Sequence, residues 1–261
     1  VGLGTDGTAW GGELLWLDGG QRAHQWKRVA HLQPIALPGG DVAAREPWRL
    51  AAAVLHSLGR GDELEARFAG AVPALTARGL KTMLDRGLNC PSSTGAGRWF
   101  DAAAGALGLS VRQAIEAEAA IALERLATQA LPHGAQAATF APTLDLRGVV
   151  AELFDVPRDD DPARARAALR FHHALADGLA DAAVRAAGER GCDTVVFGGG
   201  CFLNRVLGER LAMRLQAAGL AVHAPRQTPC GDAGLALGQA WVAACSVAHA
   251  ALSSNALALE S

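Results

Sequence analysis

Apolar positions recur along this chain at a short spacing near both ends and a helical one between. Trp10–Trp16 is a short apolar run; with Arg28–Leu37 it predicts two neighbouring strands joined across the Gly19-Gly20 turn. Pro38-Gly39-Gly40-Asp41 reads as a turn. Beyond it, apolar residues fall three and four apart, and Pro47 suits a first helical position, so Trp48–Gly59 predicts a helix. Further helices are expected over Ala71–Arg86, Arg98–Leu109 and Val111–Gln129, and a long amphipathic one over Ala163–Arg190. Leu131–Leu144 reads as loop or strand, and Arg158-Asp159-Asp160-Asp161 as a solvated turn. The last third changes period again: strand Thr194–Phe197, glycine turn, helix Arg205–Ala218, strand Leu220–His223, glycine turn, final helix. That β-α-β-α order predicts parallel strands, with ligands bound beyond their carboxyl ends.

Three glycine-rich turns punctuate this pattern. The first is Gly2-Leu3-Gly4-Thr5-Asp6-Gly7-Thr8 with Gly11-Gly12-Glu13; the second is Gly198-Gly199-Gly200-Cys201-Phe202-Leu203-Asn204-Arg205; the third is Pro229-Cys230-Gly231-Asp232-Ala233-Gly234. Glycine lets a ligand approach the main chain closely, and a helix start after such a turn points free N–H groups at an anion. Two of the turns carry a carboxylate, so the set predicts a cleft for phosphate and metal. Val1 stands almost inside the first turn with no strand leading into it, as expected of a piece of a longer protein.

Composition narrows the class. A chain of 261 residues with 50% hydrophobic content and 31 glycines suits an α/β enzyme. A formal charge of −2 provides no basic field for nucleic acid. Five cysteines without a Cys-x-x-Cys pair read as free thiols in a reducing compartment, and no signal peptide is visible, which points to the cytoplasm. The stretch Ala233–Leu259 lacks Asp, Glu, Lys and Arg, but Gln239, Ser246, Ser253 and Asn255 interrupt it; it reads as a packed helix, not a membrane span.

The segments Asp6-Gly7-Thr8-Ala9-Trp10-Gly11-Gly12-Glu13, Leu37-Pro38-Gly39-Gly40-Asp41, Arg45-Glu46-Pro47-Trp48-Arg49, Asn89-Cys90-Pro91 and Gly97-Arg98-Trp99-Phe100-Asp101-Ala102 follow one another in order. Gly198-Gly199-Gly200 with Asn204-Arg205, then Gly231-Asp232 with Gly238-Gln239, complete the series. In this order they resemble the C-terminal, Kae1-like domain of the HypF family of NiFe-hydrogenase maturation carbamoyltransferases. More distantly the pattern is similar to the tRNA threonylcarbamoyladenosine synthases. The resemblance implies the two-lobed, α/β, actin/sugar-kinase/Hsp70-like fold, with the first lobe truncated at its amino end. Residues 1–97 would then be the rest of that lobe and a helical connection, and residues 98–261 the second lobe.

The resemblance also implies a chemistry. Carbamoyl phosphate and ATP yield carbamoyl-adenylate in a neighbouring domain, outside this sequence; the Kae1-like domain passes the carbamoyl group to the C-terminal cysteine of a HypE partner, on the way to the cyanide ligands of the hydrogenase. A divalent metal (zinc, iron or magnesium) holds the phosphate side. By position, Asp232 matches the family's metal-binding aspartate; its other reading is a cap for the Ala233–Val247 helix. Asn204 matches an asparagine that touches the nucleotide, or else caps the helix after it. Asp101 matches an aspartate that accepts from ribose hydroxyls, or is a surface carboxylate. Arg98 would meet phosphate, or is an exposed arginine at a helix start. Gly198, Gly199, Gly200 and Gly231 would line the nucleotide.

Three departures accompany the match. The family's metal site also uses a histidine pair four apart and an aspartate before the first turn, and the register places these ahead of Val1. No histidine here has a partner four residues on, and His172-His173 read as packing or surface residues. Where the family has a glycine, Ile115-Glu116-Ala117 offers a methyl that would crowd the ligand, and the serine-rich turn before Arg98 reads Ser92-Ser93-Thr94-Gly95-Ala96. The functional readings are therefore a HypF-like carbamoyltransferase domain, a related O-carbamoyl or threonylcarbamoyl transferase, and a non-catalytic lobe that docks the partner.

Overall fold

The computed structural model describes residues 2–18, 25–131 and 143–259, with side chains through Ala248. The Gly19-Gly20 turn and most of Leu131–Leu144 lie outside the described residues. The amino-terminal part is built of β1 (Gly2–Leu3), β2 (Ala9–Trp10), β3 (Glu13–Leu17), β4 (Trp26–His31) and β5 (Ile35–Ala36), followed by helices α1 (Asp41–Arg45), α2 (Pro47–Ser57), α3 (Leu64–Arg67) and α4 (Ala74–Arg86). Then come β6 (Ser92–Ser93), α5 (Ala96–Ala106), α6 (Glu118–Ala130), α7 (Arg147–Leu153) and α8 (Asp161–Arg190). The last third is β7 (Thr194–Val196), α9 (Arg205–Ala217), β8 (Ala221–His223) and α10 (Leu235–Leu259).

The expected β-α-β unit is present: β7 and β8 pair in parallel, Val195 opposite Val222, with α9 between them in sequence. The two amino-terminal strands also pair, β3 with β4, antiparallel and with a bulge at Leu14/Leu15. Their predicted bounds need correction. Trp10–Trp16 is broken at Gly11-Gly12 into β2 and β3, and Arg28–Leu37 breaks after His31 because the Leu32 and Gln33 amides donate to the Gly12 and Leu144 carbonyls instead of a ladder. The altered serine turn is itself a strand. β6 pairs with β2 in parallel and with β5 antiparallel, and so fastens the first glycine turn to the head of α5.

The core forms where α2 crosses α5 and where α6, α8 and α9 pack together. Gly105 permits the first crossing: a Cβ there would sit 2.6 Å from the Pro47 carbonyl oxygen. Phe100 and Phe171 are fully buried edge to face at 5.4 Å, each stabilising the fold by about 1.5–3 kcal/mol.

One predicted helix is wrong in extent. Val111–Gln129 does not run continuously; α6 begins only at Glu118. Ala117 before it has φ 62°, a left-handed backbone, and further back the Gln113 amide is held by the Arg45 carbonyl at 2.9 Å. Among the described residues no helix is long and apolar enough to cross a membrane.

Candidate functional site

β7 ends against the buried Phe197, whose N–H donates to the His223 carbonyl of β8 at 2.8 Å. The chain then turns through Gly198, Gly199 and Gly200. Gly199 has φ 109° and ψ 152°, a region closed to side chains, which is why glycine stands there. Gly200–Leu203 forms one 3₁₀ turn, steadied by Phe202 stacked on Phe197 at 4.4 Å. The third glycine turn lies directly against this one. The Gly199 amide donates to the Cys230 carbonyl at 2.7 Å, and a Cβ on Gly231 would meet the Gly200 Cα at 3.7 Å. Two turns about thirty residues apart are thus bonded main chain to main chain.

Beside this junction opens a groove of about 620 Å³. Gly199, Cys230, Gly231 and Asp232 line it on one side, with Leu235 and Trp241 among its apolar residues. Asp232 is exposed, and its carboxylate has no hydrogen-bond or ion-pair partner among the described residues. It does not cap the final helix as its alternative reading would have it: it opens a short 3₁₀ turn with no side-chain cap bond, and α10 starts at Leu235. The metal expectation does not fit these residues by themselves. Among the described residues no three of His, Cys, Asp and Glu gather as a metal site, and one carboxylate falls short of the several ligands a divalent ion takes.

Asn204 occupies a different position. It is buried, and its Oδ1 accepts from the Leu207 amide at 2.9 Å as the cap of α9, the alternative read from its place before a helix. Its Nδ2 lies 3.0 Å from Nε2 of His172 on α8. His172 Nδ1 in turn lies 2.8 Å from the Ala168 carbonyl, so that nitrogen carries the proton and Nε2 accepts from Asn204. Burial pushes the His172 pKa down to about 4. His172 is a packing residue, as expected. The second hydrogen on Asn204 Nδ2 has no partner among the described residues.

Arg98 and Asp101 lie in the first two turns of α5, beside Cys201 of the second glycine turn, and neither is among the residues lining the groove. The Cys201 thiol faces the Gly97 amide, Arg98 and Asp101, and burial pushes its pKa up. Asp101 is only 1% exposed, which corrects the surface-carboxylate reading; Arg98 is also half-buried, not an exposed arginine. Arg98 Nη2 lies 3.0 Å from Asp101 Oδ2 as an ion pair without hydrogen-bond geometry, and among the described residues Asp101 Oδ2 and Arg98 Nε have no hydrogen-bond partner. Burial outweighs the nearby Arg98 charge and raises the Asp101 pKa to about 6.

Glu13, the carboxylate at the end of the first turn, and Gln113, outside every motif, also bear on the region. Glu13 Oε2 accepts from the Gly11 and Gly12 amides at 2.5 and 2.7 Å, while its other oxygen meets Thr94 and Arg28. A side chain of the chain itself therefore occupies the amides of Gly11 and Gly12, at the end of the first turn. Gln113 donates to Asp101 Oδ1 at 3.3 Å. The signal for Glu13 was its place beside two glycines, whereas nothing in the sequence marks Gln113.

A Kae1-like carbamoyltransferase domain is the class that this fold and its paired glycine turns define: residues 1–239 match the family model described as "Carbamoyltransferase, Kae1-like Domain, second subdomain". The chain belongs to the HypF carbamoyltransferase family. It is 53% identical over 252 residues to a "Carbamoyltransferase HypF homolog" of Cupriavidus necator, covering 94% of this chain and 63% of that one. It is 42% identical over 242 residues to "Carbamoyltransferase HypF" of Rhizobium leguminosarum bv. viciae, covering 91% and 30%. The chain thus spans less than two thirds of either relative. The crystal structure of T. kodakarensis HypF superimposes with a TM-score of 0.80 at 27% identity over 95% of this chain and 33% of that one. A full-length HypF in its phosphate- and nucleotide-bound form gives 0.74, also at 27% identity, over 92% and 31%.

Proposed function

We propose that this chain carries the acceptor half of a HypF-type reaction, the transfer of a carbamoyl group from carbamoyl-adenylate to the C-terminal cysteine of a HypE-like partner in the reducing cytoplasm. The observation that carries the reading is the main-chain bond between Gly199 and Cys230, which sets Gly231 and the unpartnered Asp232 on one groove. A solved relative is described as nucleotide-bound, which fits an adenylate seated beside these turns. In this reading residues 98–261 hold the adenylate, with Gly198, Gly199, Gly200 and Gly231 against it, Asn204 and Arg98 near its polar groups and Asp101 at the ribose; residues 1–97 belong to the other lobe. ATP and carbamoyl phosphate enter through domains other than this one, and the hydrogenase cyanide ligands lie downstream.

The transfer is an acyl substitution. The partner's thiol loses its proton to solvent, and the sulfur attacks the carbamoyl carbon. The bond from that carbon to the adenylate oxygen breaks, AMP departs with the electron pair, and an S-carbamoyl cysteine remains. Main-chain N–H groups suit the developing negative charge. With the full-length protein, labelled carbamoyl phosphate and ATP, label is expected on the partner's terminal cysteine. Label on tRNA or on a small alcohol instead would replace this reading by that of a related transferase.

A further inference from the structure

We infer that Gln113 is the positioning residue that aims Asp101 at the ribose, an inference resting on the adenylate reading above. Gln113 is 7% exposed and bonded on every side. Its main-chain N–H donates to the Arg45 carbonyl at 2.9 Å. Its Oε1 accepts from the Ala119 amide at 3.1 Å, one of the unpaired N–H groups at the start of α6. Its Nε2 donates to the Ala44 carbonyl at 2.5 Å and to Asp101 Oδ1 at 3.3 Å.

These partners fix the amide's orientation. A flipped Gln113 would set its N–H₂ against the Ala119 donor and its oxygen against a carbonyl and a carboxylate. The group facing Asp101 is therefore a donor, tied to the end of α1 and the head of α6. It engages Oδ1 and leaves Oδ2 as the carboxylate oxygen without a hydrogen bond among the described residues, beside Arg98 Nη2 at 3.0 Å. In the adenylate reading that buried oxygen, ion-paired but not hydrogen-bonded, is the acceptor a ribose hydroxyl would satisfy. Sites built to bond a substrate hydroxyl reject the analogue lacking it, because the buried polar group then stays unpaired. Without Gln113 the carboxylate is free to turn Oδ1 or Oδ2 toward Arg98, and the acceptor loses its direction.

The test is a ratio of affinities by calorimetry on the full chain, for AMP and for 2′,3′-dideoxy-AMP. Wild type is expected to prefer AMP by about tenfold or more. Gln113→Met, of similar size, should bring the ratio near one, as should Asp101→Asn. Gln113→Glu, which keeps the acceptor for Ala119 and removes the neutral donor to Asp101, serves if the Met variant does not fold, and the same collapse is expected. Loss of affinity for both ligands in equal proportion, with the ratio kept, would make Gln113 structural only and overturn the inference. If Asp101→Asn lowers the ratio and the Gln113 variants do not, Gln113 alone is wrong. If wild type does not discriminate, or does not bind AMP, the ribose reading itself fails and takes the inference with it.

Discussion

His172 on α8 takes a hydrogen bond from Asn204 at the head of α9, Nε2 to Nδ2 at 3.0 Å, and Phe100 of α5 packs on the same imidazole at 5.3 Å. One residue further along α5, Asp101 is equally buried. The two titrate in overlapping windows with opposite effects on stability.

For His172 the folded pKa of about 4 lies below its ordinary 6.5, so between these values the unfolded chain binds more protons. Its contribution, about 3 kcal/mol, is complete above pH 6.5 and is lost as pH falls to 4. For Asp101 the folded pKa of about 6 lies above 3.8, so the fold binds more protons in between. That contribution, also about 3 kcal/mol, is present below pH 3.8 and lost as pH rises to 6. The wild type partly cancels the two. Urea midpoints from pH 4 to 7 should show His172→Gln losing less stability than wild type on acidification and Asp101→Asn losing more. Three parallel curves would mean that neither group is as buried as the structure has it.

Ala117 stands with φ 62° just before α6, where the resembled family places glycine. A left-handed backbone costs an alanine about 1–2 kcal/mol, part of which glycine gives back through its freer unfolded chain. Ala117→Gly should therefore raise stability by about 0.5–1 kcal/mol, read from chemical denaturation. A loss of stability would show that the left-handed geometry is not what stops the helix at Glu118.

That position also shows what the sequence could reveal. The β-α-β third was legible because apolar runs, glycine turns and an amphipathic helix each carry their own period. The junction of the second and third turns followed from strand order. Val111–Gln129 misled because its helical composition continues through residues held by tertiary bonds, Gln113 to Arg45 and Asp101. The burial of Asp101 was illegible for a related reason: α5 is itself buried on nearly every face, and such a helix gives a carboxylate no polar side to mark. Asn204 remained open between cap and ligand contact, because both roles ask for the same residue in the same place.

Gly199 and Gly231 separate two uses of glycine. Gly199→Ala puts a side chain at φ 109° and should cost about 1–3 kcal/mol while straining the bond to Cys230. Gly231→Ala places its methyl 3.7 Å from the Gly200 Cα, an ordinary contact, at an ordinary negative φ. Its stability should stay within about 0.5 kcal/mol of wild type, while AMP affinity falls if the adenylate lies against this turn. Equal thermal losses in both would refute the backbone assignment.

The last prediction concerns which groups carry the transfer. Asp232 is the one carboxylate among the described residues lining the groove, and among those residues it has no hydrogen-bond or ion-pair partner. A residue with no structural partner can be removed without cost to stability, so its effect on rate is readable directly. In the full-length enzyme Asp232→Asn should keep the wild-type melting point within the scatter of surface substitutions, about 0.5 kcal/mol, yet lower carbamoyl transfer by at least about a hundredfold, because the carboxylate would be this groove's ligand to a divalent cation opposing the adenylate phosphate, which a bare carboxylate would only repel. Cys201 and Cys230 border the same turns. The Cys201 thiol is enclosed and its pKa is raised, so it is a poor source of thiolate. Cys230 lines the groove and is the stronger rival for a covalent carbamoyl-enzyme. The nucleophile proposed here belongs to the partner, so Cys201→Ser and Cys230→Ser should both retain transfer, followed as label on the partner's terminal cysteine. If Cys230→Ser abolishes transfer and Asp232→Asn does not, the carbamoyl group passes through this chain's own sulfur and the assignment of Asp232 is wrong.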